Sequence, residues 1–354
     1  MAPAYMTVLL AFAGLAAASY SCINFDVPMS FEAPSLTPKF PRFKNHYESV
    51  QFLSDISARD AAAAGSPFEA SPVNITVDAT IAAKYCSPKG ATGETVQLLT
   101  HGIGFDHSYW DFGGPNSEYN YVKAATEAGY STLSYDRMGT GKSSHLDPYT
   151  HQQVGPAAGV LATLTTLLRE GKLSKVAGSD IPTPSKVAHV GHSYGSVISE
   201  TFANAAPSLS DGLILTGFSS KSSYGLPFAI SSNLHIAAEM DPSRFGNLDK
   251  GYLTWGDELS NQYSFLSYPY FDPAVLKQAE ANKQPFAVSD FLTAFGMPAP
   301  DYVGPVMVST ILSVLSVMTL THKRSSPASM IAYSAVLIAM VYSSKPKPSS
   351  RKQM

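Results

Sequence analysis

The stretch from Ser185 to Ser196 reads S-K-V-A-H-V-G-H-S-Y-G-S and decides how the rest of the chain is interpreted. Its apolar run, Val187 to Val190, is short, β-branched and bounded by turn residues, as is typical of a buried parallel strand. Gly191 to Gly195 then spells G-x-S-x-G, and an amphipathic helical pattern follows. A strand, a sharp turn and a helix in this order predict a nucleophile elbow with Ser193 as the nucleophile.

The two glycines of this pattern have a steric role. The turn puts Ser193 in a strained backbone conformation, so a β-carbon two residues to either side would collide with the chain. Gly191 and Gly195 lack that carbon. The helix N-terminus behind the serine favours a developing anion. The alternative is a turn rich in glycine and serine that carries no chemistry, and the flanking strand and helix argue against it.

A second buried central strand is predicted at Thr95 to Thr100, and H-G-I-G-F-D follows it from His101. In serine hydrolases the loop after this strand contributes one backbone N–H to the oxyanion hole, and the residue after the nucleophile contributes the other. We therefore expect Ile103 and Tyr194 to be the two donors. His101 is interpreted as a structural histidine that orients the loop.

A third motif, D-R-M-G-T-G-K-S, occupies Asp136 to Ser143 after a predicted strand at Ser131 to Tyr135. Its last letters suggest a phosphate-binding loop, but such a loop needs glycine where Asp136 stands. A carboxylate there would face the phosphates. We interpret the motif as an arginine-anchored turn beside the active-site sheet.

Strands and helices alternate from Thr95 to Thr216, which predicts an α/β fold with a doubly wound, mostly parallel sheet. The core is placed at 74–217, with antiparallel strands at its start. The aromatic-rich stretch 218–300 breaks the alternation and predicts a helical cap around an apolar pocket, or alternatively the core of a second subdomain. The next core strand is expected at 301–308. Residues 20–73 show no sustained period and are interpreted as an N-terminal extension packed on the outside of the domain.

Composition bounds the functional classes. The chain has 354 residues, enough for one α/β domain with an insertion. Charged residues make up 14% and the net charge is −3, so no nucleic-acid partner is expected. No motif predicts a cofactor, and two cysteines alone cannot form a zinc site.

The N-terminus predicts export. Residues 1–19 contain an apolar run too short to span a bilayer, followed by small residues, which is the layout of a secretory signal; a buried helix is the alternative. In an exported protein Cys22 and Cys86 are free to pair, although their spacing leaves this open. Asn74-Ile75-Thr76 is an N-glycosylation acceptor if the chain is eukaryotic.

The motifs at His101, Ser134 to Ser143 and Val190 to Gly195 together resemble the α/β-hydrolase superfamily of the AB hydrolase-1 type. Within it, the chain is similar to secreted fungal hydrolases that carry a cap. The resemblance covers about residues 74–308. It implies Ser193 as nucleophile, the Ile103 and Tyr194 amides as oxyanion donors, and a small apolar carboxylic-ester or related acyl substrate.

The C-terminal part departs from this family pattern. The family places an aspartate just after the strand at 304–308 and a histidine later, but no Asp or Glu follows Asp301 and the only later histidine is His322. His235 in the cap or His322 would have to act as the base. We therefore predict an esterase- or lipase-like serine hydrolase with weak or no activity. The alternative is an inactive member of the fold that binds an apolar ligand.

Residues 309–354 are rich in serine, basic and free of acids, which predicts that the last strand and helix of the fold are missing or replaced. The alternative is membrane association. Tyr302 to Thr321 and Ser325 to Ser344 are each uncharged over about the length that spans a bilayer.

Overall fold

The computed structural model describes residues 20–58, 69–91, 94–219, 225–294 and 306–309. Its strands are β1 (Tyr20–Pro38), β2 (Ala70–Pro88), β3 (Thr95–Thr100), β4 (Ser131–Tyr135), β5 (Lys186–His192), β6 (Gly212–Thr216), β7 (Leu234–Ile236), β8 (Tyr252–Trp255), β9 (Phe286–Ala287) and β10 (Val306–Ser309). Its helices are α1 (His46–Ser57), α2 (Tyr121–Glu127), α3 (Val154–Arg169), α4 (Leu173–Ala177), α5 (Tyr194–Ala205), α6 (Gly225–Ser231), α7 (Ala237–Met240), α8 (Pro242–Phe245), α9 (Glu258–Phe265), α10 (Pro273–Asn282) and α11 (Val288–Ala294).

The main sheet has seven strands in the order β1-β2-β4-β3-β5-β6-β10. The five strands from β4 to β10 are parallel, and β1 and β2 are antiparallel additions at one edge. The centre of the sheet is apolar: Leu98, Leu99 and Val190 are fully buried. The predicted α/β fold with a doubly wound, mostly parallel sheet is therefore confirmed.

The segment interpreted as an extension contributes the edge strand of this sheet. Strand β1 pairs with β2 along its full length, and Val27 and Met29 are buried between exposed neighbours. Pro28 and Pro34 interrupt its alternating pattern, which hides the strand in the sequence. An edge strand tolerates proline because its outward N–H groups need no partner. The extension predicted at 20–73 therefore includes β1, the outermost strand of the main sheet, which the sequence analysis did not assign.

A disulfide joins the start of β1 to the end of β2. Cys22 and Cys86 lie directly opposite each other in the register of β1 and β2, and their sulfur atoms are bonded. The bond joins positions 64 residues apart, so it ties the start of the described chain to the strand that borders β4.

The described part of the predicted cap is not purely helical. It holds six helices, α6 to α11, and also a three-stranded antiparallel sheet in the order β7-β8-β9. These strands have two to four residues each, too few to show alternation in the sequence. The cap contacts the core at the loop after β3, where the ring of Trp255 lies against Gly104 and 5.7 Å from the ring of Phe105.

The predicted strand at 301–308 corresponds to β10, which pairs in parallel with β6. The remainder of the chain after Ser309, including His322, lies outside the described residues. The predicted signal, 1–19, lies outside them as well. Among the helices that the structure describes, none has the length and apolar character needed to cross a membrane.

Candidate active site

Ser193 follows directly on β5 and has φ 51° and ψ −118°. A residue with a β-carbon rarely adopts a positive φ, so this conformation needs support from its surroundings. The Ser193 N–H donates to the carbonyl of Thr216 on β6, at 2.8 Å. The serine is partly exposed, and helix α5 begins at the next residue. A strained serine therefore stands between the strand and the helix, at the carboxyl end of the parallel sheet.

The glycines on both sides make this turn possible. A β-carbon on Gly191 would overlap the backbone of Ser196, and one on Gly195 would overlap the carbonyl oxygen of Thr100. Both obstacles are main-chain atoms, which cannot rotate away. The G-x-S-x-G spacing is thus a consequence of how closely α5 approaches β3 and β5.

The loop after β3 passes beside Ser193. A β-carbon built on Gly102 would stand 3.2 Å from the β-carbon of Ser193. Within the described residues, no hydrogen bond uses the N–H of Ile103 or of Tyr194. Tyr194 is the first residue of α5, where helical N–H groups have no intrahelical partner. This arrangement suits the binding of an anion at Ser193.

His101 is fully buried and its two ring nitrogens have different roles. Its Nε2 accepts from the backbone N–H of Arg137 at 3.0 Å, so the ring proton sits on Nδ1 and is donated to the carbonyl of Gly102 at 2.9 Å. Burial, followed by the charge of Arg137, lowers the pKa of His101 to about 3. A neutral imidazole with both nitrogens occupied is an orienting group and not a base.

The two histidines of β5 are also buried and neutral. Burial lowers the pKa of His192 to about 3, and its ring lies 4.6 Å from that of Tyr109 in a stacked arrangement. His189 has the same lowered pKa, about 3, from burial and the charge of Arg169. Its ring contacts the hydroxyls of Thr165 and Ser210. These side chains pack around β5, the strand that leads into Ser193.

Sequence reasoning missed one charged pair at the same edge of the sheet. His107 Nδ1 lies 2.5 Å from Oδ1 of Asp136, the residue that follows β4. Burial lowers the pKa of His107, but the hydrogen bond and charge of Asp136 outweigh it, so the pKa is raised. Burial likewise acts to raise the pKa of Asp136, yet His107 holds it below the usual value. The H-G-x-x-x-x-H spacing from His101 was the available signal.

Asp106, His107 and Asp136 also have the chemistry of a metal-binding cluster, with one ligand atom from each within 4.8 Å of the others. Their hydrogen bonds account for the cluster without a cation. Asp106 accepts hydrogen bonds from the Ser108 N–H and from the side-chain amide of Gln284. Asp136 accepts a hydrogen bond from His107 Nδ1.

The predicted bases are not joined to Ser193 in the described structure. His235 lies on β7 with its ring 5.3 Å from that of His46, and His46 in turn faces Glu239. Among the described residues, no histidine is hydrogen-bonded to Ser193. His322, the other predicted base, lies outside the described residues.

A family model supports the motif evidence. The model of the alpha/beta hydrolase family matches residues 97–338, more than half of the chain. The chain belongs to the alpha/beta hydrolase family. The match includes all three motifs and runs through His322, so it covers much of the stretch predicted to be atypical. No curated protein matches the chain.

Several solved structures are similar to parts of this chain. A hydrolase from Pseudomonas aeruginosa PA01 is 18% identical, with a TM-score of 0.39, covering 65% of this chain and 76% of that one. A bromoperoxidase from Bacillus anthracis is 16% identical with a TM-score of 0.39, covering 75% and 95%. A putative hydrolase from Rickettsia typhi is 10% identical with a TM-score of 0.46, covering 78% and 94%.

Proposed function

We propose that this alpha/beta hydrolase attacks carboxylic-ester or related acyl substrates with Ser193. The observation that carries the proposal is the positive φ of Ser193 between β5 and α5, with the loop of Gly102 beside it. In the reaction the Ser193 hydroxyl adds to the carbonyl carbon, and the Ile103 and Tyr194 amides stabilise the oxyanion. The alcohol leaves with a proton, and water then hydrolyses the acyl-enzyme.

His322 is our candidate for the base. The chain has nine histidines, and the eight others lie within the described residues, where none is hydrogen-bonded to Ser193. Three of these, His101, His189 and His192, are fully buried and neutral. His322 falls inside the family match. His235, with its ring against His46, is the weaker candidate.

We expect the activity to be low. No Asp or Glu follows Asp301, so the strand position at which the family carries its acid has no carboxylate after it. Removing the acid of a Ser-His-Asp triad lowers kcat by about 10⁴-fold. Slow hydrolysis that depends on Ser193 is therefore the expected behaviour of the full chain.

The experiment is p-nitrophenyl butyrate hydrolysis by the full chain, compared with Ser193→Ala, His322→Ala and His235→Ala. Ser193→Ala and His322→Ala should reduce the rate to that of the buffer, and His235→Ala should leave it unchanged. Ser54→Ala is the matched control, because Ser54 is exposed on α1 and bonds only the carbonyl of Val50. A Ser193→Ala protein that retains the wild-type rate excludes the proposed nucleophile.

A second candidate function is the binding of an apolar small molecule without turnover. It is favoured by the lack of any described histidine at hydrogen-bonding distance from Ser193. A binding protein would take up a fluorescent fatty acid equally well before and after Ser193→Ala. A hydrolase would instead release product from the corresponding ester only when Ser193 is present.

We further propose that the protein is exported. The Cys22–Cys86 disulfide supports this, since such bonds persist in oxidising compartments. Asn74 is exposed on β2, where a glycan would meet solvent. Secreted protein should lose mass on glycosidase treatment, and Asn74→Gln should remove that shift. Recovery of the protein only in the membrane fraction would instead favour insertion of the 302–344 segment.

A further inference from the structure

Asp290 is a charged group buried at the junction of the cap and the core. It lies on α11 and is only 2% exposed. One oxygen, Oδ1, is 3.2 Å from Nη1 of Arg137, and the other accepts from the N–H of Ala287 at 3.3 Å. Asp290 and the Tyr194 hydroxyl lie close enough for each to shift the pKa of the other. Burial raises the pKa of Asp290, against the opposing effect of Arg137.

Arg137 depends on this single carboxylate. It is 2% exposed, and its Nε and Nη2 have no hydrogen-bond partner among the described residues. Its guanidinium group lies over the ring of Tyr194, 4.7 Å from the ring centre. Removing the charge of Asp290 would leave Arg137 with the Tyr194 ring as its main contact, and a buried unpaired cation is costly.

Through Tyr194 this cluster reaches one predicted oxyanion donor. The Tyr194 hydroxyl lies 3.2 Å from Oγ1 of Thr293, one turn beyond Asp290 on α11. The ring is thus held at its tip by the cap and at its face by Arg137. The Tyr194 N–H is the first of α5, so the residue that offers this donor is also anchored to the cap through its hydroxyl.

Through Arg137 the cluster reaches the other donor. The Arg137 N–H donates to His101 Nε2, and His101 Nδ1 donates to the carbonyl of Gly102. The Gly102 carbonyl and the Ile103 N–H belong to the same planar trans peptide and point in opposite directions. A hydrogen bond that fixes the carbonyl therefore also fixes the direction of the N–H. The position of Arg137 therefore sets the orientation of the Ile103 donor.

We propose that Asp290 is a positioning residue that holds both oxyanion donors, Ile103 N–H and Tyr194 N–H, in register from the cap side. The inference rests on the proposed function, because it gives a role to the same anion site. It explains why a cap helix buries a carboxylate against the residue after the nucleophile. Asp290 does not touch substrate; it acts through Arg137 and Tyr194.

The test compares an ester with the matching thionoester. A thionoester develops its negative charge on sulfur, a weaker hydrogen-bond acceptor than oxygen. The kcat/KM for the ester divided by the kcat/KM for the thionoester therefore reports how well the oxyanion donors are placed. Loss of one donor lowers kcat by about 10² to 10³-fold, and misorientation of both should lower the ratio by roughly 10-fold in Asp290→Asn. The effect should appear in kcat and leave KM unchanged.

Two further variants keep the test decisive. Tyr194→Phe removes only the hydroxyl and should lower the ratio by roughly 3-fold in a folded protein, as expected for a partial loss of orientation. Glu280→Gln is the matched control, because it breaks another cap ion pair, with Lys283, that does not involve Arg137. Glu280→Gln should keep the wild-type ratio.

Amide NMR shifts of Ile103 and Tyr194 give a readout that does not need turnover. Both should move in Asp290→Asn and Tyr194→Phe and stay in place in Glu280→Gln. Wild-type ratios and unmoved amides in both variants would overturn the positioning role. If the wild type shows no Ser193-dependent hydrolysis, the proposed function fails, and the amide shifts still decide whether Asp290 controls the two donors.

Discussion

The ends of β3 and β5 differ from the end of β4 in how they hold polar groups. His101, which follows β3, and His189 and His192 on β5 are buried and neutral. The turn after β4 carries ions instead, with Asp136 paired to His107 and Arg137 paired to Asp290. The strands and loop beside Ser193 therefore carry buried neutral histidines, while the turn after β4 carries ion pairs, one of which, Arg137–Asp290, joins the core to the cap.

This contrast predicts opposite responses to pH. A buried neutral histidine must take up a proton when the protein unfolds in acid, so its contribution to stability is lost as pH falls. His107 has the opposite dependence, because its pKa is raised in the folded protein: its contribution to stability is lost as pH rises. A substitution in one of these two groups, the buried neutral histidines or the ion pairs, should leave the other group in place.

The largest expected effect is the loss of stability in acid caused by three buried neutral histidines, His101, His189 and His192. The unfolded histidines have pKa values near 6.5 and the three folded ones have a pKa of about 3. Stability present above pH 6.5 should therefore be lost as pH falls, with a slope that approaches about 4 kcal/mol per pH unit well below pH 6.5, from three protons at about 1.4 kcal/mol per pH unit each. Urea unfolding between pH 7 and pH 5 measures this slope.

A single substitution isolates one of these protons. His189→Gln should flatten the slope by about 1.4 kcal/mol per pH unit, because one protonating group is gone. An identical slope for His189→Gln and wild type would show that His189 is not a buried neutral group.

The next largest effect tests the steric fit of the turn that contains Ser193. Gly195→Ala places a β-carbon on the carbonyl oxygen of Thr100 and should cost about 3 kcal/mol of unfolding free energy. Gly178→Ala is the control. Gly178 has φ 62° but open space around it, so it should cost only about 1 kcal/mol. Equal losses in chemical denaturation would contradict the close contact of α5 with β3.

The smallest effect concerns the charged side. His107→Gln should cost about 2 kcal/mol near pH 6, within the range of about 1.5 to 3 kcal/mol for a hydrogen bond to a charged group. The folded pKa of His107 is raised, so this stabilisation is present below the unfolded pKa of about 6.5 and is lost as pH rises through the folded value. The difference from wild type should shrink by pH 9. A difference that grows with pH would rule out the ion pair.

The parts of the molecule that the sequence predicts well depend on local geometry. The elbow follows from Gly191, Ser193 and Gly195, because a tight turn restricts the residue types within five positions. Strand β5 and the loop at His101 follow from short apolar runs that end in turn residues. In each case the physical cause lies within one stretch of chain.

The parts that the sequence hides depend on contacts between distant stretches. Asp136 and His107 meet because β3 and β4 are neighbours, and Arg137 and Asp290 meet although 153 residues separate them. Strand β1 was missed because its prolines are compatible only with an edge position, which the sequence does not reveal. No pattern in a single stretch encodes any of these pairings.

The most direct test of the nucleophile elbow is mass-spectrometric mapping of a fluorophosphonate adduct on the full chain after prolonged incubation. We predict one adduct, on the peptide that contains Ser193, and its loss in Ser193→Ala but not in Ser54→Ala. An adduct at another serine, or a folded wild type that forms none, would contradict the assignment of Ser193 as the nucleophile.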